Sequence, residues 1–157
     1  MALDRFDRML LNLVQQNSSQ TTERLSEQVP LSPSAIQRRL KRMHENGTII
    51  RECAIIDPVK IQRSGLFVVA LQVEKERPEM LARLRSWLIS EPSVQQVYYV
   101  TGEADFMLIV TARDTDVYEE LMARLISENP NVRHYTTNVA LKVVKRGLVI
   151  PLDVDPG

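Results

Sequence analysis

Four cations, Arg38, Arg39, Lys41 and Arg42, fall within five residues of one another. On a helix turning 100° per residue, Ile36, Leu40 and Met43 share an inner face. Ser34, Arg38, Lys41 and Arg42 point away from it, with Gln37 and Arg39 on the flanks. Two short hydroxyls, Ser32 and Ser34, precede the cations. The chemistry such a set offers is recognition rather than bond making. An arginine forks onto the acceptors of guanine, a glutamine matches adenine, and longer cations neutralise phosphates. Most charge runs are only solvated helix faces, so the meaning of this one depends on the elements that carry it.

Few other residues offer chemistry. His44 and His134 lie far apart and Cys53 is the only cysteine, so no zinc-ligand spacing and no internal disulfide is possible. A small buried filler is the expected role of Cys53. With five glycines in 157 residues, no phosphate-cradling loop or nucleophile motif stands out. An enzyme whose second half is a regulatory module is therefore disfavoured, and no catalytic residue, metal or cofactor is assigned. Asp4, Arg5, Asp7 and Arg8 interrupt the first apolar stretch, which argues against a secretory signal, and no apolar run is long enough for a membrane span. A reduced, cytoplasmic chain is expected. The 20 basic and 20 acidic residues cancel, so any attraction for a polyanion must be local.

The cationic helix has helical neighbours. Phe6, Met9, Leu10, Leu13 and Val14 form one apolar stripe, with Asp4 as N-cap and Asp7 in the first turn. A short helix starts at Thr21 or Thr22, contributes Leu25, and gives way at Val29-Pro30-Leu31. The third helix opens with Ser32 as N-cap and Pro33 at its first position, and stops at Gly47. Three helices, a tight turn and a cationic face opposite the core stripe make a helix-turn-helix, in which the third helix enters the major groove of double-stranded DNA. Ser32, Ser34, Gln37 and Arg38 are assigned to base edges. Arg39, Lys41 and Arg42 are assigned to phosphates, and Thr22 joins the DNA-binding set.

From Leu66 onward the pattern changes to β-branched blocks alternating with helical ones. The stretch Leu88-Ile89-Ser90-Glu91-Pro92-Ser93-Val94 returns, with one insertion, as Leu125-Ile126-Ser127-Glu128-Asn129-Pro130-Asn131-Val132. Each copy ends a helix and starts a strand. With strands over 66–74 and 105–112 and helices over 78–90 and 116–128, the order is the βαββαβ of a ferredoxin-like sandwich. The fold class is therefore α+β: a helix-turn-helix (winged-helix-like) domain over 1–52, a hinge strand and linker over 53–65, and a ferredoxin-like domain over 66–157. Thr48–Ile56, rich in β-branched residues, is read as the connecting strand. Both alternating sets in Phe106-Met107-Leu108-Ile109-Val110 are apolar. Two helices cover only one sheet face, so the other face calls for a homodimer partner.

The segments LDRFDRMLLNLV, LSPSAIQRRLKRM, NGTII and TGEAD resemble, in order and spacing, those of the Lrp/AsnC (feast/famine) regulators over nearly the whole chain. The resemblance implies a sequence-specific transcriptional regulator. It also implies dimers that assemble into octamers, and a small-molecule effector, usually an amino acid, bound between subunits near the turn joining the second and third sheet strands. Here that turn is Gly102-Glu103-Ala104-Asp105. Gly102 permits a close backbone approach, Asp105 offers a carboxylate to an ammonium group, and Thr136 and Thr137 offer hydroxyls to the same cleft. Three positions depart from the usual pattern. Pro30 replaces a glycine in the turn, Glu52-Cys53 replaces Gly-Tyr, and Ala104 replaces an aromatic. An architectural DNA-binding protein without an effector uses the same motif and is the alternative reading. RNA binding through the sheet is disfavoured, because the strand from Asp105 to Val110 lacks the basic and paired aromatic residues of an RNA-recognition sheet.

Overall fold

The computed structural model describes residues 2–74 and 77–154. They form two compact units, one of Met1–Ile55 with Lys145–Gly157, the other of Ile56–Val144.

The first unit holds α1 (Arg5–Gln16), α2 (Thr22–Ser26) and α3 (Pro33–Glu45). Each has an oxygen-bearing N-cap, because the first amides of a helix have no partner within it. Asp4 accepts from the Asp7 amide while the Asp7 carboxylate accepts from the Asp4 amide, closing a reciprocal box at α1. Thr21 caps α2 and Ser32 caps α3. Leu10, Leu25, Val29, Ile36 and Met43 are buried at the centre of the three helices. Pro30 proves compatible with a tight turn. The Leu31 amide donates to the Val29 carbonyl at 2.7 Å, leaving Pro30 at the middle of a three-residue turn. That turn needs a negative φ, which the pyrrolidine ring already imposes. Gly47, with φ of 75°, terminates α3 as its position predicts.

The strand expected over Thr48–Ile56 is not formed. A strand exists only where a second strand accepts its backbone hydrogen bonds, and among the described residues no such partner lies alongside. Ile50 and Ile55 stand exposed, and so does Cys53, contrary to its expected burial. A second difference concerns the segment from Lys145, expected within the 66–157 domain. It packs with the helical unit instead, where Leu152 joins the α1–α3 core.

The second unit follows the order β1 (Gly65–Val73), α4 (Pro78–Ser90), β2 (Val94–Tyr99), β3 (Phe106–Ala112), α5 (Thr115–Glu128) and β4 (Val132–Val139). Its strands lie in the order β2-β3-β1-β4 and all pair antiparallel. This is the ferredoxin-like arrangement that the repeat predicts. One sheet face, carrying Phe67, Val69, Leu71, Phe106, Leu108 and Val110, is buried with Leu84 and Leu88 of α4 and Leu121, Met122 and Leu125 of α5. The rings of Phe67 and Tyr118 stack with centroids 4.0 Å apart. The internal repeat reappears as paired contacts between the helices. Glu91 accepts from Arg124 at 2.7 Å, and its counterpart Glu128 accepts from Trp87 at 2.8 Å. Arg124 and Trp87 are themselves equivalent positions of the repeat.

On the other sheet face Leu66, Val68 and Ala70 of β1 stand beside Met107 and Ile109 of β3. Among the described residues no helix of this unit covers them, and they are half-buried.

Candidate nucleic-acid interface and ligand pocket

The helical unit presents α3 with its ends well defined. Ser32 Oγ accepts from the Ala35 amide at 3.3 Å and lies 3.2 Å from Ser34 Oγ, and Pro33 occupies the first helical position. Ile36 and Met43 anchor the inner face. Ser34, Gln37, Arg38 and Lys41 are exposed, and their i, i+3, i+4, i+7 spacing makes one outward stripe. Lys41 lies 3.8 Å from Glu45, an exposed pair that constrains it little. Among the described residues, Arg38 has no ion pair.

Arg39 and Arg42, assigned to phosphates from the sequence, are turned elsewhere. Arg39 Nη1 lies 2.7 Å from both Asp4 and Asp7, and Arg42 Nη2 lies 2.6 Å from the other oxygen of Asp7. The Asp7 side chain is only 2% exposed, so its charge is tolerated because two guanidiniums meet it. Hydrogen bonds to Asp4 and then Asp7 hold the Arg39 pKa above its ordinary value. The Asp7 amide, more than Arg39, holds the Asp4 carboxyl below its own. These pairs join the first turn of α1 to the middle of α3. The cue in the sequence is slight: Asp7 is the one acid within α1, Asp4 caps it, and a carboxylate buried as Asp7 is calls for cations. The outward cations of α3 are then Arg38 and Lys41. Thr22 sits on the first turn of α2, where its hydroxyl donates to Glu23.

In the sheet unit, the open face carries a depression of about 500 Å³, within the range of small-ligand sites. Ala70 and Met107 contribute apolar lining, while Thr101, Glu103, His134 and Thr136 contribute polar groups. Small residues at Ala70 and Ala104 leave the space open. The expected set of four residues is only partly brought together here. Thr136 lines the depression. Gly102, with φ of 115°, shapes the adjoining turn without lining it. Thr137 does not face this side. It pairs with Val69 of the buried face, and its hydroxyl bonds to that of Tyr118. Adjacent residues of a strand point to opposite faces, so two neighbouring threonines cannot serve one cleft.

Asp105 is also occupied structurally. It is 8% exposed and accepts from the Val73 amide at 2.8 Å, while its own amide donates to Leu71. It ties the β2–β3 hairpin to the end of β1. Gln72, Thr101, Glu103 and His134 are polar lining residues outside the set expected from the sequence. The signal was the same alternation, because His134 lies two residues before Thr136 and shares its face. Gln72 reinforces the turn by donating to the Glu103 carbonyl at 2.9 Å.

Residues 3–44 match the AsnC-type helix-turn-helix domain, and residues 66–150 match the Lrp/AsnC ligand binding domain. The chain is 40% identical over 154 residues to an uncharacterized HTH-type transcriptional regulator of Sinorhizobium fredii, covering 98% of this chain and 91% of that protein. It is 26% identical to the leucine-responsive regulatory protein of Escherichia coli, covering 92% and 88%. Among solved structures, an AsnC family regulator from Agrobacterium tumefaciens superposes with a TM-score of 0.88 at 28% identity, over 94% of this chain and 96% of that one. A transcriptional regulator from Neisseria meningitidis, solved as a complex with L-Met, shares the fold with a TM-score of 0.90 at 24% identity, over 97% and 98%. Helix-turn-helix, sheet topology and relatives agree, and the chain belongs to the Lrp/AsnC family of transcriptional regulators.

Proposed function

We propose that this regulator reads specific DNA sites with α3 and responds to an amino acid held on the open face of its sheet. The observation that carries the DNA reading is the outward stripe of α3. Ser34, Gln37, Arg38 and Lys41 stand clear on a helix whose other cations are held inward against α1. Ser32, Ser34, Gln37 and Arg38 reach base edges, and Lys41 meets a phosphate. Arg39 supports the helix from behind, and Arg42, 36% exposed along its side chain, reaches a phosphate only by loosening its hold on Asp7.

The ligand side rests on the depression and its mixed lining. Glu103 offers a carboxylate to an α-ammonium group, the role first given to Asp105. Thr101, Thr136 and His134 offer partners to the ligand's carboxylate, and Ala70 and Met107 offer apolar contact to a side chain. The apolar band around the depression fits a second copy of this chain. A dimer formed there closes the site between subunits and sets the separation of two reading helices, at one DNA turn of about 34–36 Å or a multiple of it.

DNA capture and footprinting on the source genome test the first half. A few two-fold sites are expected, and uniform protection lost steeply with salt would show an architectural protein instead. Arg38→Ala should relax sequence preference. Lys41→Ala should weaken all DNA alike and lower the salt slope by about one. Calorimetry with the twenty amino acids tests the second half, and silence from all of them refutes it.

A further inference from the structure

The segment after β4 ends in an unusual pairing with α1. Arg8, Asn12 and Gln15 lie at i, i+4 and i+7, on one face of that helix. The Asn12 side-chain amide donates to the Leu152 carbonyl at 2.8 Å and accepts from the Leu152 amide at 3.2 Å. Gln15 repeats this with Ile150, donating at 3.0 Å and accepting at 2.7 Å. Arg8 donates to the Asp153 carbonyl at 3.4 Å. Each primary amide thus satisfies both backbone groups of one residue, as a neighbouring strand would, and the segment runs antiparallel to the helix.

The residues between suit this role. Pro151 stands between the two bonded residues and has no amide to leave unsatisfied. Its ring also holds itself and Ile150 in extended conformations before docking. Leu152 turns its side chain into the α1–α3 core. Backbone recognition by two amides, a proline that fixes the extended form and one apolar anchor together describe a peptide-docking site with its peptide in place.

We propose that this face of α1 is a docking site for the chain's own segment Ile150–Asp153, and that docking gives the DNA-reading unit a second, non-covalent tie to the ligand-binding unit. The chain passes between the units twice, at Ile55–Ile56 and at Val144–Lys145. The first crossing follows the exposed stretch that forms no strand. Without docking, that stretch alone tethers α3. With docking, the reading helix is held at two points, and the second tie leads directly to β4, the strand carrying His134 and Thr136 of the pocket. Holding a reading unit on a shorter leash raises its effective concentration at the second of two half-sites. This consequence rests on the DNA reading above, whereas the docking itself does not.

Hydrogen exchange on the full chain tests docking. The Ile150 and Leu152 amides should be protected, and the double variant Asn12→Ala, Gln15→Ala should lose that protection while α2 and the sheet keep theirs. Absence of protection in the parent chain overturns the proposal. So does protection that survives the double variant. DNA binding tests the tie, using duplexes that carry one or two copies of a footprinted half-site. The double variant and a chain lacking residues 150–157 should bind the single half-site as the parent does, yet lose about threefold or more on the paired site. Equal affinity on paired sites, with protection lost, overturns the tie. Failure of every form, parent included, to bind either duplex would strike the DNA reading instead and leave the exchange result standing.

Discussion

Replacing Asp7 with asparagine should loosen the reading helix more than any change on its exposed face. The carboxylate is 2% exposed and meets Arg39 at 2.7 Å and Arg42 at 2.6 Å, besides accepting from the Asp4 amide. Removing one partner of a fully buried ion pair costs about 3–5 kcal/mol, because the other charge is stranded. Here Arg39 and Arg42 keep 21% and 36% of their side-chain surface in water, so part of that penalty is recovered by hydration. A loss of about 2–3 kcal/mol is the expected result. Asp4→Asn, at a side chain 49% exposed, should lose less than about 1 kcal/mol. Urea unfolding followed by hydrogen exchange in α1 and α3 measures both. The released guanidiniums also become available to phosphates, so the salt slope for non-specific DNA should steepen by as much as about two. A change below about 0.5 kcal/mol with an unaltered slope would refute the view that this cluster joins α1 to α3 and withholds two cations from DNA.

Two further outcomes follow from the geometry. Thr136→Ala should weaken ligand binding and leave stability within about 0.5 kcal/mol. Thr137→Val should remove the partner of the buried Tyr118 hydroxyl, lower stability by about 1 kcal/mol and leave ligand affinity unchanged; the reverse pattern in calorimetry and urea unfolding would mean the faces are misassigned. Acid should attack the helix caps. Amide hydrogen bonds, from Asp7 to Asp4 and from Val117 to Asp114, hold both carboxyls below their ordinary value. Such groups stabilise the fold above the unfolded pKa and lose that contribution as pH falls through the lower folded value. Asp4→Asn with Asp114→Asn should therefore flatten the acid limb of a helicity titration.

The fold was legible where residues answer to their nearest neighbours. Caps at Asp4, Ser32 and Gly47, the stripe of α1, and the repeat around Glu91 and Glu128 are local patterns, and each marks an element that forms. What escaped was longer in range. Thr48–Ile56 has the composition of a strand, but composition supplies no hydrogen-bonding partner. Leu152 belongs to a core built by residues more than a hundred positions earlier, and no period announces it. The candidate site depends on contacts of the same long range. The period of two puts Thr136 and Thr137 on opposite faces of β4, and the Asp105 carboxylate accepts from the Val73 amide of a strand more than thirty residues earlier. The angle of Arg39 and Arg42 on α3 does not reveal their partners, which stand at the start of α1.

The open sheet face carries both a polar depression and an apolar band around it. Under the proposed assembly the two share one desolvation event, so ligand affinity and self-association are thermodynamically linked: whatever factor the ligand adds to dimer strength, the dimer returns to ligand binding. The apparent dissociation constant of the ligand then depends on how much of the protein is present. A cell making more of this regulator would thereby lower the metabolite level at which it responds, with no change in any residue of the pocket.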